Sequence, residues 1–256
     1  MFLAQDRCIC LRIVEYSETS QIVTLLAREH GLLRAIAKGA HRKTQAGASK
    51  FGGGIDLLDL GLAVFTARPE KDLATLTEWE LREGHLHLRK NLRALHLAFY
   101  AAELVSLLIE EHDPHPQLFD RLEHVLLELG TPRTEQAFLA FQMHLLRQAG
   151  YLPELTACAA CGKSVPSVWA VCFAFERSGV VCRDCERAFP QRTSLDGRLL
   201  RIMQYVLGMT RHDASPARLP VLTRHQTDPI NRLLAQHIQH TLSRPLRLAS
   251  FILPGR

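Results

Sequence analysis

Residues 20–43 read SQIVTLLAREHGLLRAIAKGAHRK, and this stretch decides the N-terminal fold. Two apolar runs, at 22–27 and 32–37, flank a turn at His30-Gly31. Runs of that length parted by a short glycine turn read as a β-hairpin. Upstream, Cys8, Cys10, Arg12, Val14 and Tyr16 alternate with Ile9, Leu11, Ile13 and Glu15. That period of two predicts a strand with one face turned inward. Downstream, residues 55–67 and 73–81 form two more runs, joined by the polar turn RPEKD at 68–72. Five short strands in about eighty residues suit a small barrel of the OB type. An SH3-like barrel has the same strand count, and patterning alone does not separate the two.

The hairpin empties into a basic, glycine-rich segment. Between residues 28 and 50 stand six Lys or Arg and one acid, Glu29. A small β-domain with such a loop is a natural cradle for a phosphate backbone. Arg34, Lys38, Arg42, Lys43 and Lys50 are the candidate phosphate contacts, with Thr44, Gln45 and Ser49 as further hydrogen-bond donors. Phe51 offers either a base-stacking face or a barrel-core ring, and the core reading is preferred. The charge elsewhere is uneven. Residues 81–157 carry 7 basic and 10 acidic groups, whereas residues 186–256 carry 11 arginines against 4 acids. Arginine forks suit phosphate recognition. The arginines at 198, 201, 211, 218 and 224 can extend a phosphate track, pair with the acidic middle, or dock an acidic partner segment.

The chain has 256 residues and a net charge of +5. That length suffices for two domains with real cores. No run of about 18 apolar residues exists, which excludes a membrane-spanning helix. The start, MFLAQDRCICLR, lacks the basic-then-apolar layout of a secretory signal, so a cytoplasmic protein is expected.

Beyond residue 81 the period changes to that of helices. Leu88, Leu92, Leu95, Phe99 and Ala102 form one apolar stripe, and Leu97, Ala101, Leu104 and Leu108 a second. A helix apolar on two sides belongs at the centre of its domain. The DPHP segment at 113–116 stops it. Leu118, Leu122, Val125 and Leu129 define a second helix, closed by Gly130. Thr131-Pro132 is expected to open a third as N-cap and first residue, lined by Phe138, Phe141 and Leu145. A fourth follows Leu195, and Asp228-Pro229 is expected to open a fifth. The expected division is a barrel at 1–81 and a helical domain at 82–256.

Inside that helical domain, at about 151–190, lie two CxxC knuckles: Cys158 with Cys161, and Cys182 with Cys185, twenty residues apart. Four thiolates at this spacing can close a tetrahedral Zn²⁺ shell, one ion per chain. Gly162 suits the tight turn that points backbone N–H groups at sulfur. Two disulfides are disfavoured in a reducing cytoplasm, and paired knuckles argue for metal over redox chemistry. Four protein ligands leave no open position, so this zinc is structural rather than catalytic. Cys8, Cys10 and Cys172 lack partners at metal spacing and read as buried or half-buried thiols.

Other chemistry is thinly supported. Gly162-Lys163-Ser164 imitates the end of a phosphate loop, but Ala157 stands where the loop needs its first glycine. The triplet Gly52-Gly53-Gly54 reads as a loop. The histidine pairs 85/87, 112/115 and 237/240 have no third ligand nearby in sequence. Neither a nucleophile elbow nor a carboxylate cluster for catalytic Mg²⁺ is present. No catalytic residue is assigned. A nuclease or hydrolase with an unrecognised site is the weakest alternative, and a zinc-ribbon transcription or protein-interaction module the stronger one.

Taken together, these segments resemble the bacterial recombination mediators of the RecO family. In the first domain the resemblance rests on RIVEYSETS at 12–20, IVTLL at 22–26, Gly31 and AKGAHR at 37–42. In the second it rests on GYLPEL at 150–155 and the two knuckles with Gly162. His41 precedes Arg42 where the family signature is more basic, and Lys50-Phe51 stands where Pro-Phe is common. The resemblance implies an OB barrel followed by a helical domain with an inserted zinc ribbon. It implies a non-enzymatic protein of DNA repair and recombination, cytoplasmic and nucleoid-associated during repair. Such proteins bind single- and double-stranded DNA, anneal complementary strands, and work with RecR to load RecA onto DNA coated with single-strand-binding protein. The implied partners are DNA, RecR and the acidic C-terminal tail of single-strand-binding protein.

Overall fold

The computed structural model describes residues 2–40, 50–51, 54–67, 73–166, 170–211 and 219–253, the side chains of 210 and 211 excepted. Five strands form a closed barrel: β1 (Phe2–Ser17), β2 (Ser20–Ala27), β3 (Gly31–Ala37), β4 (Leu60–Ala67) and β5 (Ala74–Glu83). Their order around the barrel is β1-β2-β3-β5-β4, with β1 also pairing β4 to close the ring. β3 runs parallel to β5, through Ala35–Ala74 and Ala37–Leu76. That order and the one parallel seam are those of the OB barrel, and they settle what strand counting left open.

Inside the barrel, Val23, Leu25, Leu33, Ala35, Phe65, Leu76 and Trp79 pack with Cys8 and Cys10. Each large side chain buried here contributes about 1.5–3 kcal/mol. Phe51 joins this core at 4% exposure, so its ring has no face left for a base. Gly61 sits against the Trp79 indole, where a Cβ would come within 2.5 Å of the ring. Two features depart from the sequence reading. Residues 55–59 form a loop rather than strand, pinned by Gln21, whose side chain bonds both the N–H and carbonyl of Ile55. And β1 carries a bulge between Cys10 and Arg12. The extra residue reverses the alternation: Cys8 and Cys10 point inward, while Arg12, Val14 and Tyr16 are exposed.

Two helices complete a first compact unit, Met1–Gly130. α1 (Leu92–Leu108) begins after a 3₁₀ turn, with the Asn91 side chain accepting from Ala94 N–H at 3.2 Å. Leu97, Ala101, Leu104 and Leu108 are buried as expected, whereas Leu92 of the other stripe is exposed. α2 (Pro116–Glu128) is tied to the barrel by Arg7–Glu123 and by the two-pronged Arg28–Asp120 pair at 2.8 Å.

The second unit, Thr131–Arg256, is built around α3 (Thr134–Gln148), buried on every side from Thr134 to Leu146. It starts later than Thr131-Pro132 suggested, because Thr131 folds into a turn and accepts from Arg133 and Thr134 N–H groups. A three-stranded sheet follows, β6 (Val171–Ala174), β7 (Gly179–Val181) and β8 (Arg192–Leu195), with β6 central. Then come α4 (Gly197–Arg211), α5 (Arg224–Leu242) and the short α6 (Ala249–Ile252). α5 starts four residues before Asp228: Thr223 and Gln226 form a capping box, and Pro229 lies inside the helix. Among the described residues, no helix is long and apolar enough to cross a membrane.

Candidate metal centre and nucleic-acid interface

The cysteine quartet is assembled by backbone pairing. Gly150, at φ 75, ends α3 in the left-handed conformation that glycine adopts without strain. The chain then runs beside β7: Glu154 N–H donates to Ser178 O and Val180 N–H donates back to Glu154 O. The Glu154 carboxylate accepts from the Thr156 hydroxyl and from the N–H groups of Thr156 and Ala157. Those bonds hold its carboxyl below the usual range. The first knuckle follows. Ala159 N–H bonds Val180 O, and Gly162, at φ 74, returns its N–H to Cys158 O. Cys182 N–H points at the Cys158 sulfur from 3.3 Å.

As a result the Sγ atoms of Cys158, Cys161, Cys182 and Cys185 all lie within 4.8 Å of one another. Cys161 and Cys182 are 3.8 Å apart. A tetrahedral Zn–S shell of ~2.3 Å bonds has S···S edges of about 3.8 Å, so the quartet fits a four-thiolate metal. Burial of Cys158 opposes ionisation, yet the amides of Cys182, Cys161 and Ala160 bring its thiol down to about 6. The Cys182 and Cys161 side chains push Cys185 up to about 12. This is a cluster that sheds protons when a cation enters. By contrast, burial raises the thiols of Cys8 and Cys10 in the barrel, which makes them inert.

The basic candidates fall along the β3/β5 seam. Arg34, on β3, and Lys38, just beyond its end, are exposed. Lys50 is exposed too, and its carbonyl accepts from Trp79 N–H of β5 at 2.9 Å. Since Ala37 pairs with Leu76, Lys38 and Lys50 both flank the same short length of β5. Arg42, Lys43, Thr44, Gln45 and Ser49 lie outside the described residues. Arg28, counted in the basic run, is already held by Asp120 and Glu29. The non-local partner Asp120, 92 residues on, left no signal in the local sequence.

One histidine in each of two pairs is held by a backbone carbonyl. His85 Nδ1 donates to Leu58 O at 2.8 Å, and His237 Nε2 to Tyr151 O at 2.9 Å. In the second unit, Arg198 and Arg201 line a cleft with Ile202, Tyr205, Val206 and Leu222. Sequence charge counts pointed to these arginines but not to the apolar wall beside them.

A closed five-stranded OB-type barrel, followed by a helical unit carrying a four-cysteine cluster, defines the class of α+β protein to which this chain belongs. The family model described as "Recombination protein O N terminal" matches residues 1–85, and "Recombination protein O C terminal" matches residues 89–249. A relative from Anaeromyxobacter sp. (strain K), named DNA repair protein RecO, is 33% identical over 92% of this chain and 91% of its own. Namesakes from Rhodopirellula baltica and Syntrophotalea carbinolica are 36% and 30% identical, over 69% and 95% of this chain and 65% and 92% of their own. The chain belongs to the RecO family, and with it to DNA repair and recombination.

Proposed function

We propose that this chain is a non-enzymatic recombination mediator whose barrel binds single- and double-stranded DNA through Arg34, Lys38, Arg42, Lys43 and Lys50. The observation that carries the reading is the convergence of Lys38 and Lys50 on one length of β5, downstream of Arg34. Among the described residues, no carboxylate pairs with any of these three. Fixed cations that neutralise phosphates on two strands at once reduce the repulsion between those strands. Annealing of complementary DNA then needs no covalent step.

The same reading makes RecR the co-mediator and RecA the recombinase that gains access to coated DNA. The cleft with Arg198, Arg201 and an apolar wall has the chemistry to receive the acidic C-terminal tail of single-strand-binding protein. Cys158, Cys161, Cys182 and Cys185 hold one Zn²⁺, which when bound cross-links the ribbon and leaves no position for substrate. The protein works in the cytoplasm, at the nucleoid during repair.

Reversing charge at Lys38 and Arg42 together (Lys38→Glu, Arg42→Glu) tests the interface. Binding of unrelated oligonucleotides should weaken alike. The slope of log K against log salt should fall by about 1.4, because each single-strand phosphate left without its cation lowers it by ~0.7. A double variant that binds as tightly as wild type in low salt rules this placement out.

A further inference from the structure

The cleft in the second unit has two walls, and different parts of the fold hold them. α4 supplies Arg198, Arg201, Ile202, Tyr205 and Val206, and the segment from Leu219 to Gln226 supplies the rest. That second wall is fixed by α3, because Leu222 N–H donates to Gln136 Oε1 at 3.2 Å. The α4 wall is tied to the cysteine ribbon at two points. β8 ends at Leu195 and α4 begins at Gly197, so one residue, Asp196, joins the ribbon sheet to the helix. The Asp196 carboxylate accepts from Arg198 N–H at 2.7 Å. Further along α4, the half-buried Gln204 side chain donates from Nε2 to Leu155 O at 2.7 Å. Arg198 and Arg201 therefore lie on the stretch of helix between the two ties. α3 also reaches α4, through Arg147 and Leu207 O at 3.0 Å, but beyond the turns that carry the arginines.

Leu155 is itself placed by the residues that gather the thiols. Glu154, just before it, pairs with Ser178 and Val180, Cys158 follows shortly after, and β7 runs straight into Cys182. We propose that metal binding at the quartet and peptide binding in the cleft are coupled, with Gln204 as the positioning residue that joins them. The inference rests on the reading of the cleft as a site for an acidic peptide, and it adds the regulation of that site. The ribbon sheet has too little core to order itself. The Leu155 carbonyl and the end of β8 are therefore held in place by the cross-link among the thiols. Once they are held, α4 presents Arg198, Arg201 and Tyr205 already aligned, and a bound peptide need not bear the cost of ordering them. The coupling is reciprocal: the factor by which the metal tightens peptide binding is the factor by which the peptide tightens metal binding.

The test uses the full chain, zinc-loaded or stripped under reducing conditions, and a fluorescein-labelled synthetic peptide of several aspartates ending in phenylalanine with a free carboxylate. Zinc should tighten peptide binding to wild type about 5-fold or more. Zinc affinity, read by competition with a chromophoric chelator, should rise by the same factor when the peptide is saturating. Gln204→Met keeps the length of the side chain and removes its donor. Zinc-loaded Gln204→Met should bind the peptide about 5-fold or more weakly than zinc-loaded wild type, and its zinc affinity should no longer respond to the peptide. A purely structural defect would weaken binding without abolishing that response. If stripping unfolds the second unit, the zinc-loaded variant alone decides: wild-type peptide affinity and an intact zinc response overturn the proposal. If wild type binds the peptide equally with and without zinc, the coupling is wrong and the reading of the cleft stands. If zinc-loaded wild type does not bind the peptide at all, the reading of the cleft falls and the coupling with it.

Discussion

The barrel and the cysteine ribbon are both small β-units, but they bury very different amounts of apolar core. The barrel closes on itself around a core that includes Leu25, Leu33, Phe65, Leu76 and Trp79. The ribbon has strands of four, three and four residues, and its sheet buries little beyond Phe173, Val180, Val181 and Leu195. So few apolar groups do not offset the entropy of ordering the segment. A metal cross-link can. Where a core is sufficient, chemistry-bearing side chains are free to sit outside on the strand faces. Where it is not, four thiols stand close enough for a metal ion to supply the missing cross-link.

Metal removal should break this comparison most visibly. Structural zinc in small domains is worth ~10–16 kcal/mol of apparent binding energy at neutral pH, far more than this sheet can supply. Chelation should release one zinc per chain and strip hydrogen-exchange protection from residues 154–195. Protection in β1, β2 and β3 should persist. Mass spectrometry of a fully folded, metal-free chain with a protected ribbon contradicts the assignment.

Two glycines sharpen the contrast at smaller cost. Gly31, at φ 72, would place a Cβ 2.4 Å from the Asp113 carbonyl oxygen, which is backbone and cannot yield. Gly31→Ala should therefore cost about 2–4 kcal/mol, read as a drop in the urea midpoint of barrel unfolding. Gly162 in the ribbon has nearly the same φ, 74, but nothing within 4 Å of the added carbon. Gly162→Ala should cost only the left-handed strain, about 1 kcal/mol. Equal losses at the two sites would show that the close approach to Asp113 is unimportant.

These cases also show what could be read beforehand. Local signals were legible: the hairpin at 20–37, the apolar runs of β4 and β5, and both knuckles, because each is written within a few consecutive residues. Signals spread along the chain were not. The parallel seam between β3 and β5 joins segments nearly forty residues apart, so strand counting could not choose between barrels. Arg28 was counted in the basic run but not among the candidate contacts, and its partner Asp120 is brought beside it only by the fold. The bulge at Cys10/Arg12 has no sequence marker of its own, yet it turns Arg12, Val14 and Tyr16 outward. At α5 the signal was present but outcompeted: Asp228-Pro229 looked like a start, while Thr223 and Gln226 formed the capping box.

The smallest effect concerns one histidine in each unit. Burial lowers His85 and His237 below the ordinary imidazole value, although the Leu58 and Tyr151 carbonyls partly oppose this. In each ring the second nitrogen is buried without a partner among the described residues. Protonation would put an unsatisfied charged N–H there, so the folded state resists it while the unfolded chain accepts it. Stability is complete above the unfolded value of about 6.5 and falls as pH drops from there toward the folded value, by at most ~1.4 kcal/mol per pH unit for each ring. In the second unit the Cys158 thiol, brought down to about 6, also takes up a proton over part of this range, so His237 is not isolated by acid alone. His85 is cleaner. Comparing urea midpoints at pH 7.5 and 5.5, His85→Gln should lose part of the wild-type decline in barrel stability, whatever its absolute cost. An undiminished decline would mean that His85 is protonated equally in both states and that its bond to Leu58 survives the charge.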